Sequence, residues 1–291
     1  MHIVMGASGR VGSAVVEHLL GKNHTVKAVI RDPKKADSLE NKGASIAIAD
    51  AFNAEALQQA FEDGNTAFVL TPESIHTDDM IGDAQKILAN YREVLENSTI
   101  KKVVGLSSVG AQFASGTGNL QASYLLEHTF AGLPIQQIFV RPTYYYSNWL
   151  SALPTVRQHH LLPTFYPEEL SVSMISPREV GTFIAEVMNK AIEGDPIYEL
   201  EGPYYSSNDI AELLGEQINT SVQAEQIPKD DWREMLRQIG FSTNAATNFI
   251  EMVEAVIAGR IKTEDKETIT INAQVPFNRY IANHPALLTT S

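Results

Sequence analysis

The chain opens MHIVMGASGRVG, where a short apolar run leads into three glycines at a fixed spacing, Gly6, Gly9 and Gly12. Glycines set this way between a strand and a helix can serve a phosphate-bearing ligand. Gly6 permits the tight turn, Gly9 lets the backbone approach a pyrophosphate, and Gly12 lets the helix pack on the strand. Ser8, Arg10 and Val11 complete the set at the helix amino end, where free N–H groups and the positive dipole end would meet the phosphates. The alternative is a strand-to-helix turn with no ligand.

Further chemistry collects at the ends of later apolar runs. The second run ends Ile30-Arg31-Asp32-Pro33-Lys34-Lys35. An acid at this point would take the 2′-hydroxyl of an NAD ribose, whereas a 2′-phosphate needs a cation. Arg31, able to grip a phosphate with two hydrogen bonds, and Lys35 beyond it therefore favour NADP(H), with NAD(H) as the alternative cofactor. The competing reading is a surface pair between Arg31 and Asp32 or Asp37. Asp50-Ala51-Phe52 after the third run offers an acceptor for an adenine amine and a ring to stack beside it, unless Asp50 only caps the next helix. Leu70-Thr71-Pro72 after the fourth would border a ribose, or only start a turn.

These groups need a scaffold that brings strand ends together. Six strand-like runs (2–5, 25–31, 44–50, 66–71, 101–108 and 134–142) alternate with helix-period segments. The alternation predicts an α/β fold, a doubly wound parallel-sheet Rossmann domain over 1–150. After Leu150 the rhythm changes. Short strands in SVSMIS and PIYELEG flank a helix from Pro177 to Lys190, a return of the chain to the first domain near 174–200. Residues 151–291 otherwise read as a smaller, mostly helical α/β lobe over the carboxyl edge of the sheet. Val156 to Tyr166 reads as a loop over the cleft mouth, a candidate lid, and FNRYIANHPALL after Pro276 as one last short helix.

Composition narrows the classes of function. The 291 residues, 44% hydrophobic and 20% charged, suit an ordinary soluble protein with no membrane span and no secretory leader. The absence of cysteine excludes disulfides, thiolate nucleophiles and sulfur-ligated metals, and fits a cytoplasmic setting. A formal net charge of −13 argues against nucleic acid as a partner. His159 and His160 are adjacent, so their side chains diverge on a helix or a strand, and no metal site is expected.

With the glycine turn, Arg31-Asp32-Pro33, Leu106-Ser107-Ser108, and Glu127 leading to Val140-Arg141-Pro142 in order, the chain resembles the NmrA-like group of atypical short-chain dehydrogenases/reductases. The resemblance extends through ELEGPYYSSNDIAELLG. It implies NAD(P) binding, with Ser107 and then Pro142, Thr143 and Tyr144 bordering the nicotinamide, and Ser108 in the place of the superfamily's catalytic serine. The group mixes quinone and other reductases with non-catalytic redox-sensing regulators. Reductases of the wider superfamily use Tyr-x-x-x-Lys, in which the lysine lowers the tyrosine pKa. Anchored on Glu127, that pattern puts Asn119 at the tyrosine position and Ser123 at the lysine position, so both groups are lost. Tyr124 and His128, at i and i+4 on one helix face, are a substitute pair, although one residue of register turns them away from the face that Ser123 presents.

Beyond the sixth run, Tyr145, Asn148 and Trp149 are expected to wall a flat-ligand pocket, against the reading that alternate rings of this aromatic run bury between the lobes. The leading functional expectation is an NADP(H)-preferring reductase of a small electron-poor carbonyl or quinone, a reaction that depends more on orientation than on strong acid–base catalysis. The alternative is a non-catalytic dinucleotide sensor acting on a protein partner. A nucleotide-sugar epimerase is the weakest reading, because the dyad is missing.

Overall fold

In the computed structural model, which describes residues 1–264, 267–282, 284 and 287, the six apolar runs form parallel strands. They are β1 (His2–Val4), β2 (Val26–Ile30), β3 (Ser45–Ile48), β4 (Thr66–Leu70), β5 (Lys102–Leu106) and β6 (Gln136–Pro142). The helices between them are α1 (Arg10–Gly21), α2 (Ala36–Glu40), α3 (Ala54–Phe61), α4 (Met80–Glu96) and α5 (Gln121–Thr129). Strands such as Thr66–Leu70 are apolar almost throughout because helices cover both faces of the sheet.

The lobe elements are β7 (Tyr144–Tyr145), α6 (Leu153–His159), β8 (Leu161–Thr164), β9 (Val172–Ile175), α7 (Pro177–Asn189), β10 (Ile197–Glu201) and β11 (Tyr204–Tyr205). They continue with α8 (Ser207–Ile218), β12 (Gln223–Gln226), α9 (Trp232–Gln238), α10 (Thr243–Ile257), β13 (Ile269–Asn272) and α11 (Phe277–Ile281). The main sheet has the order β13-β10-β6-β5-β4-β1-β2-β3, with every pairing parallel. This is a doubly wound sheet, and its order reverses between β1 and β4, the point where such sheets bind ligands at their carboxyl ends. The return near 174–200 supplies β10 to the sheet and α7 to its face, where Val180 and Ile184 pack with Val15 and Leu19 of α1. The opposite face packs Leu57, Leu88, Tyr91 and Leu126. A third core, around Tyr146, Trp149, Trp232 and Phe277, belongs to the lobe.

Two expectations for the lobe are corrected. The eighth strand, β13, comes from a stretch expected to be largely helical, and it pairs with β10 from Tyr198↔Ile269 to Glu201↔Asn272. The segment from Val156 to Tyr166 is no loop. It forms α6 and β8, the latter paired with β12, and Val156, Leu162 and Tyr166 are buried in the lobe core. His160 ends α6 in the left-handed conformation. Of the tail, Phe277–Ile281 is helical, and residues 283, 285, 286 and 288 lie outside the described set.

Candidate functional site

The glycine turn is set by contacts that exclude a side chain. Gly6 leaves β1 with φ of +60°, and the turn is tied to its neighbours by Met5 N–H to Phe68 O at 3.0 Å and Ala7 N–H to Val29 O at 3.2 Å. A Cβ at Gly12 would stand 2.2 Å from the Gly6 carbonyl oxygen, so α1 lies against the turn itself. Gly9 is the N-cap of α1, and among the described residues no side chain caps the helix and no acid occupies its first turn. Its amino end is therefore free to take an anion. Ser8 is half-buried there, Arg10 is exposed, and Val11 puts its side chain into the core, which leaves its N–H as the group it can offer.

At the end of β2, Arg31 and Lys35 are both exposed. The surface pair weighed against an anion role is absent among the described residues: Asp32 instead accepts from Lys34 N–H at 3.0 Å, and Arg31 has no carboxylate partner. After β3, Asp50 Oδ1 accepts from Phe52 N–H at 3.0 Å, and the cap of α3 is Asn53 rather than Asp50. Ala51 is buried, while the Phe52 ring is 50% exposed beside the sheet edge. After β4, the Leu70 carbonyl holds the Tyr91 hydroxyl at 3.1 Å. Thr71 lines the cavity described next, and Pro72 is exposed.

Beside the glycine turn, a cavity of about 600 Å³ opens between the sheet edge and the lobe. Its floor is the end of β5 (Leu106, Ser107, Ser108) and of β6 (Pro142, Thr143), and one wall is Asn119, Ala122 and Ser123. Tyr144, Tyr145 and Asn148 form another wall, and Met252, Val256 and Ile261 close the side toward α10. The size and the mainly apolar lining suit a small flat organic molecule. Burial raises the Tyr144 phenol to about 12, against a hydrogen bond with Asn148, and burial raises Tyr145 as well. Both phenols therefore stay protonated and act as hydrogen-bond donors.

A buried charge network holds the floor in place. Arg141 on β6 meets Glu127 through two hydrogen bonds of 2.8 and 2.7 Å, Glu264 at 2.5 Å and Glu199 on β10 at 3.3 Å. Burial opposes the Arg141 charge, but the hydrogen bonds and charges of Glu127 and Glu264 outweigh it and hold its pKa above the ordinary value. Glu127 also accepts from the Ser107 hydroxyl at 2.5 Å, which fixes the residue next to Ser108. The Ser108 hydroxyl is half-buried in the cavity and donates to the Val109 carbonyl at 3.1 Å.

Three of the expected side chains lie elsewhere. Trp149 is 4% exposed and outside the cavity lining, because its ring packs on Tyr144 at 5.8 Å and its Nε1 points to the Met174 sulfur at 3.3 Å. The aromatic run divides between the two readings without alternating: Tyr144 and Tyr145 both line the cavity, and Tyr146 is buried with its hydroxyl on the Val275 carbonyl. Tyr124 and His128 also lie outside the cavity lining. Their rings stack at 4.0 Å and His128 Nδ1 contacts the Tyr124 carbonyl at 2.7 Å, while Ser123, one register back, faces the cavity. Glu73, just past β4, is a lining residue that sequence reasoning missed, since nothing local shows that the loop after Pro72 bends over the cavity. Among the described residues no cluster of His, Asp or Glu could hold a metal ion, and no helix is long and apolar enough to cross a membrane.

Comparisons with known proteins agree with this geometry. The chain is 24% identical over 281 residues to an NAD(P)H azoreductase of Xenophilus azovorans, covering 92% of this chain and 93% of the relative. Among solved structures, its fold is similar to the Citrobacter sp. triphenylmethane reductase complexed with NADP(H), with a TM-score of 0.79 and 18% identity over 97% of this chain and 99% of that one. It is also similar to the NADPH-dependent quinone oxidoreductase of Escherichia coli complexed with NADPH, with a TM-score of 0.75 and 20% identity over 92% and 93% of the two chains. The family model described as "NmrA-like family" matches residues 2–269, and the chain belongs to that family.

Proposed function

We propose that this protein is an NADP(H)-preferring reductase of a small, electron-poor carbonyl or quinone. The observation that carries the reading is the cavity of about 600 Å³ at the carboxyl ends of β5 and β6, continuous with Leu70 and Thr71 at the switch point beside the uncapped glycine turn. A dinucleotide held by the turn and by Arg31 would direct its reactive end toward Thr71, Ser107 and Pro142, leaving the rest of the cavity for an acceptor. The names of the relatives support the same class, since azo compounds, triphenylmethane dyes and quinones are all conjugated electron acceptors.

The fit to a dinucleotide rests on the space left by Gly6, Gly9 and Gly12, on the amino end of α1, uncapped by any side chain among the described residues, and on the exposed cation Arg31 at the end of β2. When bound, a reduced nicotinamide supplies hydride. The chain's own part is to orient and to exclude water. Tyr144 and Tyr145 offer neutral phenols, Ser108 a hydroxyl, and Leu106, Val109, Met252 and Val256 an apolar enclosure in which such hydrogen bonds are stronger than in water.

Oxidation of NADPH followed at 340 nm with benzoquinones, naphthoquinones and aldehydes tests this reading. The native protein is expected to turn over at least one acceptor class, and Ser123→Trp, which fills the cavity, to lose turnover while keeping its NADPH affinity. Tight NADPH binding with no turnover across the panel would instead favour a dinucleotide sensor.

A further inference from the structure

The cavity contains two carboxyl groups, and they are not equivalent. Glu201 accepts from the Tyr204 hydroxyl at 2.5 Å and is thereby engaged. Glu73 receives one hydrogen bond, from Asn119 Nδ2 at 3.2 Å. Glu73 is an exposed residue that lines the cavity.

We propose that Glu73 is the proton donor of the reduction. The proposal rests on the reductase reading above. Two electrons and one hydrogen reach the acceptor as hydride from a reduced nicotinamide dinucleotide. Glu73 breaks its O–H bond and gives the proton to the negatively charged acceptor oxygen, where the new O–H bond forms. The Glu73 carboxylate keeps the electron pair and recovers a proton from solvent at the cavity mouth.

Desolvation beside the cavity supports this role by pushing the Glu73 carboxyl above the usual carboxylate range, against the hydrogen bond from Asn119. The other titratable groups lining the cavity are Lys262 on the segment after α10, Tyr144 and Tyr145 on β7, and Glu201 and Tyr204 on the far wall. A carboxyl with a raised pKa is an effective acid at a pH where an ordinary glutamate has already lost its proton.

Two readouts test the proposal. In the dinucleotide-free protein carrying ¹³C-labelled glutamate, the carboxyl resonance missing from Glu73→Gln should titrate above the ordinary glutamate range, and Asn119→Ala should move it higher still by removing a hydrogen bond to the carboxylate. In turnover, Glu73→Gln should lower kcat at least tenfold with NADPH affinity unchanged, and should abolish the fall in rate seen in the native protein as pH rises. Glu73→Asp keeps an acid and should retain that pH dependence. An ordinary Glu73 titration, or a Gln variant with native kcat and pH profile, would overturn the proton-donor role alone. A native protein that turns over no acceptor would overturn the reductase reading, and the donor role with it.

Discussion

At the residue scale, the proposed dinucleotide contacts are most exposed to test where a single atom decides the geometry. A methyl group at Gly12 would meet the Gly6 carbonyl at 2.2 Å, so Gly12→Ala must move α1 off the turn. It is expected to abolish dinucleotide binding measured by NADPH fluorescence. Arg31→Ala removes a charge-assisted grip worth roughly 1.5–3 kcal/mol, and should weaken NADPH about ten- to a hundredfold while leaving NADH affinity nearly unchanged. Equal losses for both dinucleotides would refute the 2′-phosphate assignment. The close-packed glycine turn and the exposed cation at Arg31 are legible in the sequence because they follow from backbone space and charge. Trp149, Tyr124 and His128 are not, because one residue of register separates facing the cavity from facing away, and Glu73 reaches it only through the path of a loop.

At the element scale, the Arg141 network ties α5, β6, β10 and the segment after α10 together. Arg141→Met would leave Glu127 and Glu199 buried without their cation, and should cost about 3–5 kcal/mol in urea unfolding. β1 carries a pH dependence of its own. Burial first, then the neighbouring charges of His24, the N-terminus and Lys102, lower the His2 pKa from 6.5 to about 4. Below pH 6.5 the unfolded chain takes up a proton that the folded chain refuses until about pH 4, so stability falls across that interval as pH is lowered. His2→Phe should reduce the stability difference between pH 7 and pH 5 in urea titrations. The strands of the first half are legible because they are apolar from end to end and followed by helix-period runs. β13 is marked only by alternation, Ile269 and Ile271 separated by threonine, in a segment whose partner β10 lies some seventy residues earlier. The α6–β8 unit reads as a loop because Pro154, His159 and His160 mask a helix that buries only Leu153 and Val156 and a strand whose pairing partner is β12.

At the scale of the whole molecule, the sheet supplies its carboxyl edge and the lobe closes over it, so the cavity exists only where the two halves meet. The sheet can be inferred from repetition along the chain. The cavity cannot, because its walls come from residues as far apart as Leu70 and Thr263. The central claim is that this junction uses NADPH to reduce a flat acceptor. The measurement that tests it most directly is the steady-state specificity constant for NADPH and for NADH with a naphthoquinone at saturating concentration. The account predicts turnover with both, with kcat/KM for NADPH at least tenfold the higher. Turnover that prefers NADH would contradict the role of Arg31, and NADPH binding without oxidation would contradict the claim that the cavity is catalytic.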